Sequence, residues 1–249
     1  MNVRVRFVDI SMEGMYFQDA DPLIFISALR PFPRRAFTCA HELGHHVFGH
    51  GSTIDHLVEE AEREHFFQPD EFLVDSFAGF MLMPILGIRK AFSSRGWNPR
   101  TATPEQFFTV ACNFGVGYRT LITHMAYSLM EIDGVKAHEL LRFRPKSIRE
   151  KILGRLSDSS LMVVDDKWLM PTIDVEVGTE ILFEGAVEVG KKCIEPIEEG
   201  RRFVFKATHP GIIRVFRPDS EWAAFIRVSR NQFIGLSQYR HLEEVDEDE

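Results

Sequence analysis

The chain has 249 residues, 45% hydrophobic and 27% charged, ordinary values for a globular protein long enough to bury a core. It has no run of about 18 consecutive apolar residues, the length a membrane-spanning helix needs, so no membrane partner is expected. The formal charge of −8 is segregated: residues 243–249 hold six acids and 55–75 eight acids against one arginine, whereas 134–155 have seven bases against two acids and 201–240 eight against two. That total disfavours a broad nucleic-acid surface.

Residues 1–9 alternate charged and apolar side chains like a strand and lack the apolar centre of a secretory signal. Cys39, Cys112 and Cys193 are odd in number and widely spaced. They do not suggest a disulfide framework, and a reducing cytoplasm is the expected location. Strands are predicted at 3–10 and 23–27, separated by a polar turn. A helix follows from about Arg34 to His50, stopped by Gly51. The acidic run 55–64 is predicted to be a solvated helix. Pro69 and Asp70 open another helix that Pro84 stops, with Leu73, Val74, Phe77, Phe80 and Met81 as its expected buried stripe.

Beyond it, Thr103 can cap a helix with Pro104 at the first position, and Gly115 ends it. A second helix over about 117–130 completes a helix-turn-helix-like pair, and a third is expected around 136–143. Short runs rich in Val, Ile and Phe then take over, separated by Gly and Pro, and read as five or more strands. The expected organisation is α+β: a core at 1–95, a helical segment at 98–155, a β-rich domain at 160–240 and an acidic disordered tail at 243–249. The exposed candidates on the second helix of the pair, Tyr118, Arg119, Thr123 and His124, are poor in side chains that read base edges, so direct nucleic-acid binding is not expected.

The chemistry concentrates in His41-Glu42-Leu43-Gly44-His45. On a helix, residues four apart share a face, so His41 and His45 present two imidazoles to one point. That suits a zinc ion, and Glu42 is placed to take a proton from a metal-bound water. A catalytic zinc needs a third protein ligand. Glu71 on the following helix is the favoured candidate, with Asp75, one turn on, placed to hydrogen-bond a ligand histidine. Glu59, Glu60, Glu62 and Glu64 are rivals. Gly44 leaves room for a neighbouring element to approach. His46, His50 and Tyr118 are candidates to stabilise an oxyanion, and the 23–27 strand a candidate edge for an extended substrate.

The run Arg35-x-Phe37-Thr38-x-Ala40-His41-Glu42-Leu43-Gly44-His45, followed by Glu71-x-x-x-Asp75-x-Phe77-Ala78-x-x-Met81-Leu82-Met83-Pro84, resembles the ImmA/IrrE family of gluzincin-like zinc metallopeptidases. The strong likeness covers residues 34–84. It departs from the family at Val74, usually alanine, and at the start, which lacks the N-terminal helix of many relatives. The resemblance implies a zincin-like core, zinc held by His41, His45 and Glu71, and Glu42 as general base. It also implies a narrow protein substrate, a helix-turn-helix repressor or antitoxin-like partner whose cleavage regulates transcription or a stress response. A non-enzymatic regulator or toxin–antitoxin-type binding module with a structural metal site is the alternative.

The acidic field of 55–75 favours both a cation and a basic substrate segment. Neutralising the acids of 55–64 is therefore expected to weaken substrate binding. Unchanged affinity in a binding titration would remove the electrostatic argument.

Overall fold

The computed structural model describes residues 3–55, 68–190, 192–197 and 203–242. The acidic run from 56 to 64, with the rival glutamates, and the tail at 243–249 lie outside the described residues. The chain divides into two compact units: Met1–Ile85 with Gln232–Arg240, and a second made mainly of Leu86–Asn231.

The first unit is a five-stranded sheet carrying two helices. Its strands are β1 (Arg4–Val8), β2 (Gly14–Phe17), β3 (Leu23–Ser27) and β4 (Thr53–Asp55), together with β13 (Gly235–Leu236) from late in the chain. Their order is β13-β1-β3-β2-β4. The expected strands at 3–10 and 23–27 are present, and β2 and β4 were not foreseen; each is too short to show a period of two. The role given to 23–27 needs correction. β3 pairs in parallel with β1 and antiparallel with β2, so both its backbone edges are used and neither can accept an added strand. The outer strand on the β2 side is β4, which pairs with β2 alone among the described residues.

Helix α1 (Phe32–Phe48) has Pro at its N-terminus and ends at Gly49 in the left-handed region, φ 71°. It lies on the sheet through Cys39 and Leu43, one turn apart, which pack against Tyr16, Ile24 and Ile26. Its opposite face meets α2 (Pro69–Leu82) at Gly44. A Cβ added at Gly44 would lie 3.0 Å from Val74 Cβ and 3.2 Å from Phe77 Cδ1, so the missing side chain is what lets the helices approach.

That contact corrects the expected stripe on α2 in part: Val74 and Phe77 pack at Gly44 as expected, but the rest of the stripe does not. Val74 and Ala78 are fully buried, whereas Leu73, Phe80 and Met81 are exposed by 42–48%. Glu71, Val74, Asp75 and Ala78 follow the i, i+3, i+4, i+7 pattern of a single helix face. The face turned to α1 therefore carries two carboxylates, a choice hydrophobicity alone does not reveal.

In the second unit, α3 (Ile85–Ser93), α4 (Pro104–Phe114), α5 (Tyr118–Thr123), α6 (Gly134–Leu141) and α7 (Pro145–Leu153) precede two four-stranded sheets. Thr103 and Gln106 form a reciprocal capping box at α4. The second helix of the pair covers the expected stretch but changes type, α5 passing into a π-helix at His124–Ser128 before the chain turns at Met130, φ 54°. The strands are β5 (Leu161–Val164), β6 (Thr172–Glu176), β7 (Glu180–Phe183), β8 (Glu188–Val189), β9 (Ile194–Ile197), β10 (Phe203–Ala207), β11 (Gly211–Phe216) and β12 (Ala223–Ser229). They form sheets ordered β5-β7-β10-β9 and β6-β12-β11-β8. No single helix is long and apolar enough to cross a membrane among the described residues.

Filling the Gly44 gap tests the helix contact. Gly44→Val should cost about 1–3 kcal/mol through overpacking, measured by denaturant unfolding. A stability equal to that of the parent chain would show that the close approach is not tight.

Candidate functional site

The site is built where α1 and α2 touch. His41 and His45 lie on the α2-facing side of α1, 6% and 1% exposed. Their Nε2 atoms are 3.1 Å apart. Glu71 reaches both, with Oε2 3.3 Å from His41 Nε2 and Oε1 3.6 Å from His45 Nε2. Ligand atoms bound at about 2.0–2.1 Å around a tetrahedral ion sit roughly 3.3 Å from one another. The three donors, all within 4.8 Å of one another, therefore fit a small tetrahedral metal ion.

Electrostatics agrees with that fit. Burial, and next the adjacent His41, hold His45 below the usual imidazole range, so it is neutral at pH 7 and keeps a lone pair for a metal. A hydrogen bond from His41 outweighs burial and holds the Glu71 carboxyl below its usual range, so it is ionised. Asp75 Oδ1 lies 2.9 Å from His41 Nδ1. A carboxylate there fixes the proton on Nδ1 and leaves Nε2 as the donor.

Glu42 is fully buried and lies beside β2 and β4. The Thr53 hydroxyl on β4 donates to its Oε2 at 3.2 Å. On β2, Gly14 leaves the space the carboxylate occupies: a Cβ there would lie 2.6 Å from Glu42 Oε1 and 2.5 Å from Thr38 Cγ2. Sequence reasoning did not single out Gly14 or Thr53, since both belong to the strands it missed.

The oxyanion candidates fare differently. His46 Nδ1 is 2.7 Å from the hydroxyl of Tyr16, itself in the sheet core. The Tyr118 hydroxyl is buried and donates to the Leu140 carbonyl within the second unit. His50 lies beside His45, with 3.1 Å between their Nδ1 atoms. Cys39 packs against the sheet core, apart from the three donors, and burial reinforced by Glu42 pushes its thiol up to about 11.

A second acidic group, Asp165, Asp166 and Glu184, sits in the second unit. Two of its three carboxylates are already answered by cations: Arg95 grips Asp165 at 2.5 and 2.8 Å, and Lys167 Nζ lies 2.6 Å from Asp166. It is a structural ion-pair cluster with no imidazole.

Residues 1–122 match the peptidase M78 family model, described as an IrrE N-terminal-like domain. Among curated proteins none matches the chain.

Gly14→Ala is expected to displace Glu42 or Thr38 and to lower the melting temperature, while the donors across α1 and α2 stay in place. Calorimetry with a metal titration checks this. Unchanged melting, or metal affinity falling along with it, would contradict the separation of the two faces.

Proposed function

We propose that this chain, which belongs to the IrrE N-terminal-like peptidase family through residues 1–122, is a zinc-dependent endopeptidase acting on a specific protein in the cytoplasm. The observation that carries the reading is the convergence of His41, His45 and Glu71 on one point, with Glu42 next to His41 in the chain. Two neutral imidazoles and one carboxylate form a donor set of catalytic zinc, which keeps a fourth position open for water or substrate. When bound, such an ion acts as a Lewis acid and lowers the pKa of its water to about 7.

The chain's own residues supply the rest. Asp75 holds the His41 ring so that Nε2 faces inward. Glu42 is the general base, accepting a proton from the attacking water and delivering it to the departing amine. The Thr53 hydroxyl steadies Oε2, which limits the carboxylate's rotation during that transfer. Because Thr53 stands on β4, the outer strand on that side, an extended peptide pairing with β4 would lie beside the base that serves its cleavage.

For the substrate, the acidic character of 55–75 favours a basic surface, such as that of a DNA-binding repressor or an antitoxin-like partner. Cutting such a partner would regulate transcription, as in a stress response.

Glu42→Gln should retain metal in elemental analysis and lower cleavage of a helix-turn-helix repressor substrate by about 10²-fold or more. Parent-level function in that variant would point instead to a non-enzymatic regulator that holds a structural metal.

A further inference from the structure

His41 has a partner for its outer nitrogen in Asp75, and the corresponding partner of His45 comes from beyond the end of α1. Gly49 takes φ 71°, with nothing within 4 Å of the place a Cβ would occupy. This left-handed turn sends the backbone N–H groups of Gly49 and His50 back to the His45 carbonyl, the latter at 3.1 Å. The reversal lays the His50 side chain against the ring of His45. Phe48 stacks on His50 with centroids 5.8 Å apart and planes 28° from parallel, and Phe77 meets Phe48 edge-on. The His50 ring is thus held in one orientation, with Nδ1 toward His45 and Nε2 3.8 Å from Asp70 Oδ1.

We infer that His50 is a positioning residue that accepts a hydrogen bond from Nδ1 of His45 and so turns the Nε2 lone pair of His45 onto the metal. The inference rests on the reading of His45 as a metal ligand. The proton assignment follows from chemistry. A ligand nitrogen must be unprotonated, so the proton of neutral His45 is on Nδ1. The Nδ1 of His50, 3.1 Å away, must then be the acceptor. Neutral His50 consequently carries its own proton on Nε2, on the side where the Asp70 carboxylate lies. Each ligand histidine thus has its own partner, His41 bonding to Asp75 on α2 and His45 to His50 beyond the end of α1. The Asp70 carboxylate, 3.8 Å from Nε2 of His50, is a longer-range charge that favours the proton on that nitrogen.

Two substitutions separate this role from simple packing. His50→Phe keeps the ring stacked on Phe48 and removes the acceptor. His50→Asn gives up the stack and places Oδ1, an acceptor, the same number of bonds from the backbone as Nδ1. The full-length chain, stripped of metal, is titrated with zinc against a chromogenic chelator, with apo-state melting recorded for each variant. His50→Phe is expected to lose about 10–100-fold in zinc affinity while melting like the parent. His50→Asn is expected to retain most of the affinity even where its melting temperature falls. Parent-level affinity in His50→Phe, or a loss in His50→Asn as large as that in His50→Phe, overturns the inference and leaves the zinc site standing. Absence of zinc binding by the parent chain overturns both together.

Discussion

The close contact of two helices at Gly44 is the constraint on which the site depends. With no side chain at that position, α2 lies against α1 through Val74 and Phe77, and the face it presents begins with Glu71 and Asp75. Two imidazoles one turn apart on one helix therefore meet two carboxylates one turn apart on the other. Each set helps to satisfy what burial costs the other: His41 gains Asp75 as an acceptor, and Glu71 is held ionised by the imidazoles beside it. Such a pairing brings donors to tetrahedral spacing because the backbones, rather than flexible side chains, set the distance.

The sheet surrounds Glu42. Glu42 follows His41 directly, so it points about 100° around the helix from His41 and about 60° from His45, on the side where β2 and β4 lie. There Gly14 leaves the room and Thr53 supplies the hydrogen bond. The three possible metal donors thus come from two helices, whereas the surroundings of Glu42 come from a helix and strands. β13 pairs antiparallel with β1 on the other side of the sheet, and β4 is the outer strand near Glu42 among the described residues.

Comparison of the two carboxylate clusters shows what distinguishes a metal centre from an ion-pair network. Both bring three ligating residues within 4.8 Å. Around Asp165 the counter-groups are a guanidinium and an ammonium, always charged near neutrality, which occupy the carboxylate oxygens. Around Glu71 they are imidazoles, one of them kept neutral by burial, and a neutral imidazole offers a lone pair. The partner type, more than the density of acids, decides which cluster can take a cation.

Local pattern in the sequence sufficed for α1, α2, the capped start of α4 and most strands of the second unit, because caps, prolines and periodicity act within a few residues. It also placed His41 and His45 on one face, since a spacing of four on a helix leaves no other outcome. The pairing of those histidines with Glu71 and Asp75 was suggested by motif likeness, and the distance between them came from the α1–α2 contact. Three features needed the tertiary structure. The buried face of α2 follows Val74 and Ala78 rather than its largest side chains, because a glycine on another element selects it. β3 is interior because β2, too short to show a pattern, pairs along the edge that β1 leaves open. Gly14, Thr53 and His50 stand beside Glu42 and His45 through strand pairing and a left-handed turn, long-range or conformational facts that no local spacing encodes.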